Sequence, residues 1–417
     1  MTDADVLVVG GGPAGASVAC ALARAGVSVH VVDRARFPRP KPCAEYLSPE
    51  ASRILADMGA LERVEQSGAA ALSGIRVRAP NGAVIAGDFI ASHGFRGFRD
   101  RGLSVRREVL DSILLDCARL AGARVTEGVR VTDVVRDGTR VVGVSTLGND
   151  GPEIRARFVV AADGLRSVIA KRLGLAHTLR WPRRLALVTH YANVREVGEH
   201  GEMHVERDGY VGIADVGGGL TTVALVVPAS RSREISGDRG AFLDRWLRER
   251  KHLAPRFVAA ERVTPVITTG PFASQARRAW APGAALVGDA ADFFDPFTGE
   301  GIYAALRGGE LLAEALVAGL AARTARDADD ILAGYNTARR KEFGGKWLVE
   351  RAIGAVVGAA PLINRAARGL SARKDLADLL IGVTGNFVPA REVIRLGYLW
   401  SVFGLFRPLT PSRSPLA

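Results

Sequence analysis

The sequence predicts an α/β architecture in which a parallel, dinucleotide-binding sheet is interleaved with an antiparallel sheet and followed by a helical C-terminal region. Three observations predict it. The chain begins with a strand, a glycine-rich turn, a helix, a second strand and an acid, in that order, between Val6 and Asp33. Strands of the buried, continuously apolar type recur far downstream, at FVVAADG (158–164) and AALVGDAAD (284–292). Between them the stretch 185–227 reads as strand throughout, while most of the chain beyond residue 302 reads as helix.

Val6-Leu7-Val8-Val9 is the first strand. Gly10, Gly12 and Gly15 then fit G-x-G-x-x-G. The first glycine permits a tight turn, the second lets the backbone approach a pyrophosphate, and the third lets helix and strand pack closely. Pro13 and Ala14 open a small-residue helix that runs to Ala25. Its N-terminal N–H groups and dipole favour an anion. The second strand, Val27 to Val32, ends in Asp33, eighteen residues past Gly15 and suited to a ribose diol, with Arg34 beside it. The hexapeptide alone is weak evidence, but the five parts in order mark a site for the ADP half of a dinucleotide.

A polar loop with four prolines, ARFPRPKPCAEYLSP, follows, and a helical pattern runs from Glu50 to Glu65. Short alternating segments within 72–105 read as strands, Val109 to Ala121 as an amphipathic helix, and residues 123–148 as a meander with an Asp-Gly turn. LALVTHYANV, GEMHVERDGYVGIADV and LTTVALVV suit an antiparallel sheet. A helix is expected from Asp238 to Arg250 and a long one from Ile302 to Ala321, with a disordered end at PLTPSRSPLA. The cofactor unit is therefore discontinuous, over 1–80, 100–180 and 280–325. A β-sheet substrate unit occupies 185–275 and a helical cap 330–410, and the cleft between units is the default place for a substrate.

Composition narrows the function. The 417 residues, 48% of them hydrophobic, suffice for more than one structural unit. Cys20, Cys43 and Cys117 are scattered, without metal spacing, so neither a metal site nor a disulfide framework is expected, and a cytoplasmic setting is. No signal peptide is expected ahead of Asp5, and no apolar run reaches the roughly 18–20 residues needed to span a bilayer. The net charge of +12 does not indicate nucleic acid: only six of the 56 basic residues are lysine, and no aromatic-interleaved groove pattern appears. From Arg339 onward, thirteen basic residues face five acidic ones beside LGYLWSVFGLF (396–406). That pairing suits either peripheral contact with an anionic membrane or a solvated helical lid over the core.

Three further segments bear on the cofactor. In SVRREVLDSILLDCA, Arg107 precedes an amphipathic helix and Asp111 lies one turn on; in VVAADGLRS, Asp163-Gly164 ends a strand. In ALVGDAADFFDPFTGEGIYAAL, Gly288-Asp289 ends another, and Pro296, Gly299 and Gly301 form a bare loop into a helix starting near Ile302. With the opening fingerprint, these motifs resemble the FAD-dependent oxidoreductases of aromatic-hydroxylase-type fold, above all the geranylgeranyl reductase family, which includes menaquinone-chain reductases. The resemblance runs from Val6 to about Arg391. It implies a Rossmann-type FAD-binding domain, with Arg107 at the diphosphate, Asp111 packed nearby and Asp289 on the ribityl chain. It also sets the N-terminus of the helix at Ile302 against the flavin's pyrimidine edge. No second G-x-G-x-x-G follows a strand downstream, so NAD(P)H, the expected electron donor, has no domain of its own.

On the substrate side, PRPKPCAEYLSPEA resembles the family's P-C-G-G-G-L-S-P loop at Lys41, Pro42, Cys43, Leu47, Ser48 and Pro49, with Ala44, Glu45 and Tyr46 in place of the glycines. The resemblance makes Cys43 a candidate acid, and Glu45 is a new candidate acid or base. The family's G-Y-x-W-x-F-P strand is here Gly209-Tyr210-Val211-Gly212-Ile213-Ala214-Asp215, without the Trp, Phe and Pro. A smaller, more polar wall is expected, with His190, Tyr191 and His204 nearby. LADLLIGVTGNFVPAREV (376–393) is similar to a C-terminal element of these reductases and is expected to cap a lipophilic pocket. Two enzymatic readings stand: reduction of a C=C bond in an isoprenoid or related chain, and hydroxylation of an aromatic or polyketide-like compound. A flavoprotein that only shuttles electrons is a third, against which the apolar C-terminal lid argues.

Overall fold

The computed structural model describes residues 2–147, 152–179, 181 and 183–404. The opening strand Ala4–Val9 stands inside a parallel sheet. Val29–Asp33 and then Arg124–Glu127 lie on one side of it, Glu153–Ala161 and then Ala284–Leu286 on the other, and an antiparallel strand, Trp280–Ala281, closes that edge. Val6, Leu7, Val8, Val31, Val32, Val159 and Val160 are buried, so both faces are covered; this is why these strands read as continuous apolar runs. The helices Pro13–Arg24 and Gly301–Leu320 pack on each other, and Arg107–Leu120 packs on the first of them. The meander Val131–Asp137 and Arg140–Thr146 turns at Gly138 (φ +57°) and pairs with Glu153–Ala161.

The second sheet runs Glu261–Arg262, Arg184–Ala192, Leu220–Pro228, Gly209–Asp215, His200–Glu206, Gly74–Arg78, Val84–Asp88. Its strands alternate. Leu187, Val211, Val223 and Leu225 pack on the helix Arg239–Arg248 through Phe242, Leu243 and Trp246. Ala186, Val188, Ala224 and Val226 belong to a cluster shared with the C-terminal helices. Residues 74–80, grouped with the cofactor unit in the sequence reading, thus pair in the second sheet, Gly74–Arg78 running parallel to His200–Glu206. Alternation predicts strands here, but not which sheet they join. The helical stretch 50–65 is two helices, Pro49–Asp57 and Leu61–Gln66, parted where Gly59 takes φ +71°.

The helix Ala325–Val357 bends by 110° into Ala360–Ser371, where Pro361 stands in the first turn of the new helix and cannot extend the old one. Lys374–Thr384, Arg391–Ile394 and Leu396–Phe403 complete the C-terminal region. The expected disordered end, 408–417, and the last residues of the apolar patch, 405–406, lie outside the described residues. Among the described residues no single helix is long and apolar enough to cross a membrane.

Candidate functional site

Parallel strands deliver their ligands at their carboxyl ends, where neighbouring strands connect in opposite directions. Three adjacent strands do so here: Val9 runs into Gly10, Ala161 into Ala162-Asp163, and Leu286 into Val287-Gly288. Gly10 has φ +107°, and a Cβ on it would stand 2.3 Å from the carbonyl oxygen of Ala162. A Cβ on Gly15 would lie 1.8 Å from the carbonyl oxygen of Gly10, which is the close helix–strand contact the third glycine serves. Gly12 differs: what faces it is guanidinium, with Arg39 Nη2 at 3.5 Å and Arg107 Nη2 at 4.0 Å from its Cβ position. The helix behind it, Pro13–Arg24, has no side-chain cap, so its first N–H groups stay available to an anion.

Arg107 grips Asp111 through two 2.7 Å bonds, from Nε to Oδ1 and from Nη2 to Oδ2, and Arg39 Nη2 approaches the same carboxylate at 3.1 Å. Arg107 is buried. Burial alone would lower its pKa, but Asp111 and then Cys43 outweigh that and hold it above the usual arginine value. Lys41 adds a further cation. Burial pulls its ammonium down, Asp289 pulls it back up, and Arg107 and Arg39 add to the lowering. A carboxylate fixing two guanidiniums beside bare backbone makes a rigid phosphate cradle.

Asp33 is buried at the end of its strand, where Oδ2 accepts from Gly11 N–H at 2.7 Å and Oδ1 from Ala35 N–H at 2.8 Å, leaving each oxygen a lone pair for a hydroxyl. Arg34 is exposed. Asp163 Oδ2 accepts from Val168 N–H at 2.7 Å, its Oδ1 is buried with no well-formed hydrogen bond among the described residues, and burial raises its carboxyl against the opposing pull of Ser167 and nearby backbone N–H groups.

Gly288 and Asp289 form a 3-10 turn with Ala290, and Pro296–Thr298 a second one. The second turn is anchored from below. Asp295 caps it through Phe297 N–H at 3.1 Å, accepts from Tyr210 Oη at 2.6 Å, and is ion-paired with Arg184. Gly299, at φ +71°, lies so close to the Tyr46 ring that a Cβ would stand 2.7 Å from Cδ1. Gly301 then starts the helix Gly301–Leu320, again without a side-chain cap, and Ile302 is buried behind it. Two uncapped helix N-termini therefore open on the same space.

Of the residues predicted from sequence, Gly12, Pro13, Ala14, Cys43, Glu45, Arg107, Gly164, Gly288, Asp289, Pro296, Gly299, Gly301 and Ile302 line one cavity. Gly10 and Gly15 shape its turn from behind. Asp33, Arg34 and Asp163 are not among the lining residues described. The cavity continues to the second sheet, where Ile75, Met203 and Val226, with Leu72 and Phe272 beside them, give it an apolar wall. His190, Tyr191 and His204 do not contribute to that wall, contrary to expectation. Tyr191 points to the other face and donates to Asp244 at 2.6 Å, His204 pairs with Glu202, and His190 is taken by Glu45. Alternation turns Tyr191 and His204 to the other face, whereas His190 shares a face with Ala186 and Val188 and is kept from the wall by its bond to Glu45.

Cys43 lies beside Arg107, and its Sγ receives the Glu45 N–H at 3.3 Å. Glu45 is buried with both oxygens engaged: Oε1 accepts from Arg107 N–H at 2.9 Å, and Oε2 sits 2.8 Å from His190 Nε2, whose Nδ1 is 3.1 Å from Thr264 Oγ1. It ties the cofactor loop to the second sheet and also lines the cavity. Cys43 keeps its place on the cavity wall. Sequence reasoning missed Arg39, the Arg184–Asp295–Tyr210 anchor, and a group formed by Glu300, Lys346 and Glu350. Glu300 sits inside the glycine motif that was read only for its glycines. Lys346 and Glu350, four residues apart on a helix, carry the signature of a solvated pair.

The two uncapped helix ends and the guanidinium cradle at Gly12, opening on one cavity, fit a flavin dinucleotide, with its phosphates at one helix end and its ring at the other. Comparisons agree. The family model described as "FAD binding domain" matches residues 3–344. Digeranylgeranylglycerophospholipid reductase 2 of Methanopyrus kandleri is 31% identical over 406 residues, covering 94% of this chain and 96% of that protein. Menaquinone reductase of Mycobacterium tuberculosis is 31% identical over 330 residues, covering 75% and 76%. Among solved structures, the myxobacterial chondrochloren halogenase, a variant of FAD-dependent halogenases, superposes with a TM-score of 0.76 at 26% identity over 84% of this chain and 82% of that one.

Proposed function

Because the chain belongs to the FAD-binding-domain family, as an FAD-dependent oxidoreductase of the geranylgeranyl reductase group, we propose that it reduces a C=C bond in a lipophilic, isoprenoid-type substrate. The observation that carries this reading is the continuity of the cavity from the glycine cradle to an apolar wall. A charged or small polar substrate has no use for such a wall, whereas a prenyl chain buries about 25 cal/mol for each Å² of apolar surface it lays there. Two relatives support the class: one is a digeranylgeranylglycerophospholipid reductase, the other a menaquinone reductase.

Bound in this cradle, FAD supplies the two-electron redox chemistry. The chain's own residues bind, orient and shield. Arg107, Arg39 and Lys41 would hold the diphosphate, Asp289 the ribityl hydroxyls, Asp33 the ribose, and the N-terminus of Gly301–Leu320 the pyrimidine edge. Cys43, on the cavity wall, is a candidate to hold a proton at Sγ. Electrons come from NAD(P)H by transient docking. The basic, apolar C-terminal surface makes peripheral contact with a membrane, from which a lipid substrate can be drawn.

One observation favours a second reading. Gly212 and Ala214 stand where the family's prenyl tunnel has Trp and Phe, and a small wall suits an aromatic or polyketide-like compound and oxygen-dependent chemistry. Oxygen separates the two. The FAD-loaded protein is reduced anaerobically with NADH or NADPH and given a prenyl quinone with and without labelled O₂. Saturated product formed without oxygen is expected; a strict oxygen requirement with label in the product transfers the assignment to a monooxygenase.

A further inference from the structure

The ring end of the cavity carries a group that neither the cofactor cradle nor Cys43 uses. Glu300, only 5% exposed, immediately precedes the helix Gly301–Leu320. Lys346 and Glu350 reach the same place from Ala325–Val357, and Tyr46 and Thr298 complete it; all five line the cavity. The carboxyls of Glu300 and Glu350 are in hydrogen-bond contact, with the Thr298 hydroxyl beside Glu300, yet two carboxylates have no proton to share, and Glu300 Oε1 is buried with no well-formed hydrogen bond among the described residues. A proton on Glu350 supplies the donor and removes the repulsion.

The surrounding charges are otherwise engaged. Glu342 faces Arg307 and Tyr303, Asp292 is paired with Arg339, and Glu50 lies by Arg53. Lys346 donates to Asn386, stands 4.0 Å from the Tyr303 ring centroid, and is the cation felt by both carboxyls.

We propose that Glu350 is the proton donor of this cavity, delivering its proton to a substrate carbon and leaving a carboxylate that Lys346 stabilises. The proposal rests on the reductase reading above. Saturating a C=C bond requires two electrons and two hydrogens. The electrons and one hydrogen come from the reduced flavin; the second hydrogen comes as the O–H bond at Glu350 breaks and a C–H bond forms. Solvent water then restores the proton. Burial, reinforced by Glu300, raises Glu350 well above the usual carboxylate range, and burial raises Glu300 as well. Burial also lowers Lys346, against the pull of Glu300, Glu342, Glu350 and Glu50.

Difference infrared spectroscopy of the FAD-loaded protein tests where the proton resides. At neutral pH the wild type is expected to show a carboxylic-acid C=O band that shifts in D₂O, persists in Cys43→Ala and is lost in Glu350→Gln. In Glu300→Gln, which keeps Glu350 and changes its partner, the band should move. Single-turnover reduction of a prenyl quinone should slow about 10²-fold in Glu350→Gln, with the alkaline limb of the pH profile gone. A wild type without the band, or a Glu350→Gln variant that retains it, overturns the proposal. Loss of the band with rate and pH profile unaltered overturns the donor role. An intact band on an enzyme that reduces no C=C bond sinks the reductase reading, and the donor role with it.

Discussion

Glu45 occupies left-handed backbone, φ +63°, at a position where the related loop pattern has glycine. A side chain in that region costs roughly 1–2 kcal/mol. The cost is offset by the two bonds its carboxylate makes, to Arg107 N–H and His190 Nε2. Substitution should separate the two effects. Glu45→Ala keeps the strain, drops both bonds and is expected to lose about 2–3 kcal/mol of stability to urea. Glu45→Gly drops the same bonds but relieves the strain, and should recover about 1 kcal/mol of that loss. Equal stabilities of the two variants would show that the backbone there is unstrained. Asp289 makes the complementary case. It lines the cavity and acts electrostatically on Lys41, so Asp289→Ala should leave the fold intact and lower FAD affinity roughly tenfold or more. Flavin absorbance per mole of purified protein reads this directly, and a full complement of flavin would take Asp289 out of the site.

The second sheet is held partly by charge. Glu202 on His200–Glu206 meets Arg256 through two bonds, at 2.6 and 2.9 Å, and His204 Nε2 at 2.8 Å. Burial opposes its ionisation, but the bonds from His204 and Arg256 outweigh it and hold the carboxyl at about 2. A carboxyl depressed in the folded state contributes stability that is present above its ordinary value of 4.5 and lost as pH falls towards about 2. The melting temperature should therefore drop across that window, and Arg256→Gln should both lower it at neutral pH and flatten its acid limb. A variant with an unchanged acid limb would show that other carboxyls govern acid unfolding. The sequence was legible at this scale where the chemistry is local. The glycine turn, the strand ends at Asp163 and Asp289 and the helix from 301 follow from period and composition. The Arg256–Glu202 pair does not, since fifty-four residues separate its members and only the packing of the 3-10 turn Ala254–Phe257 on the strand brings them together. Glu300 and Glu350 escaped for the same reason, as did the pairing of Gly74–Arg78 in the second sheet.

The molecule as a whole brings three distant strand ends to one edge and closes the resulting cavity with helices from its last hundred residues. Phe343, Lys346, Trp347 and Asn386 supply that wall, with Ala325–Val357 contributing more of it than the 376–393 segment does. The outer side of this cap is where charge and apolar surface coincide. Ala360–Ser371 packs against Leu396–Phe403, with Leu362 and Leu396 exposed by 45% and 74%. Arg391 and Arg395 lie alongside with side chains 73% and 63% exposed. Each basic residue near an anionic bilayer contributes about 1 kcal/mol, and each leucine that inserts roughly 1.5–3 kcal/mol. The protein is accordingly expected to sediment with vesicles containing anionic phospholipid and to be released as salt shortens the screening length below about 8–10 Å. It should bind neutral vesicles weakly. Leu396→Asp combined with Arg395→Glu should weaken binding at least tenfold. The same variant should keep its flavin and its turnover of detergent-solubilised quinone, because both side chains lie outside the cavity lining. Vesicle binding indifferent to lipid charge, salt and these substitutions would assign the surface to packing within the protein and leave the cavity to draw its substrate from solution.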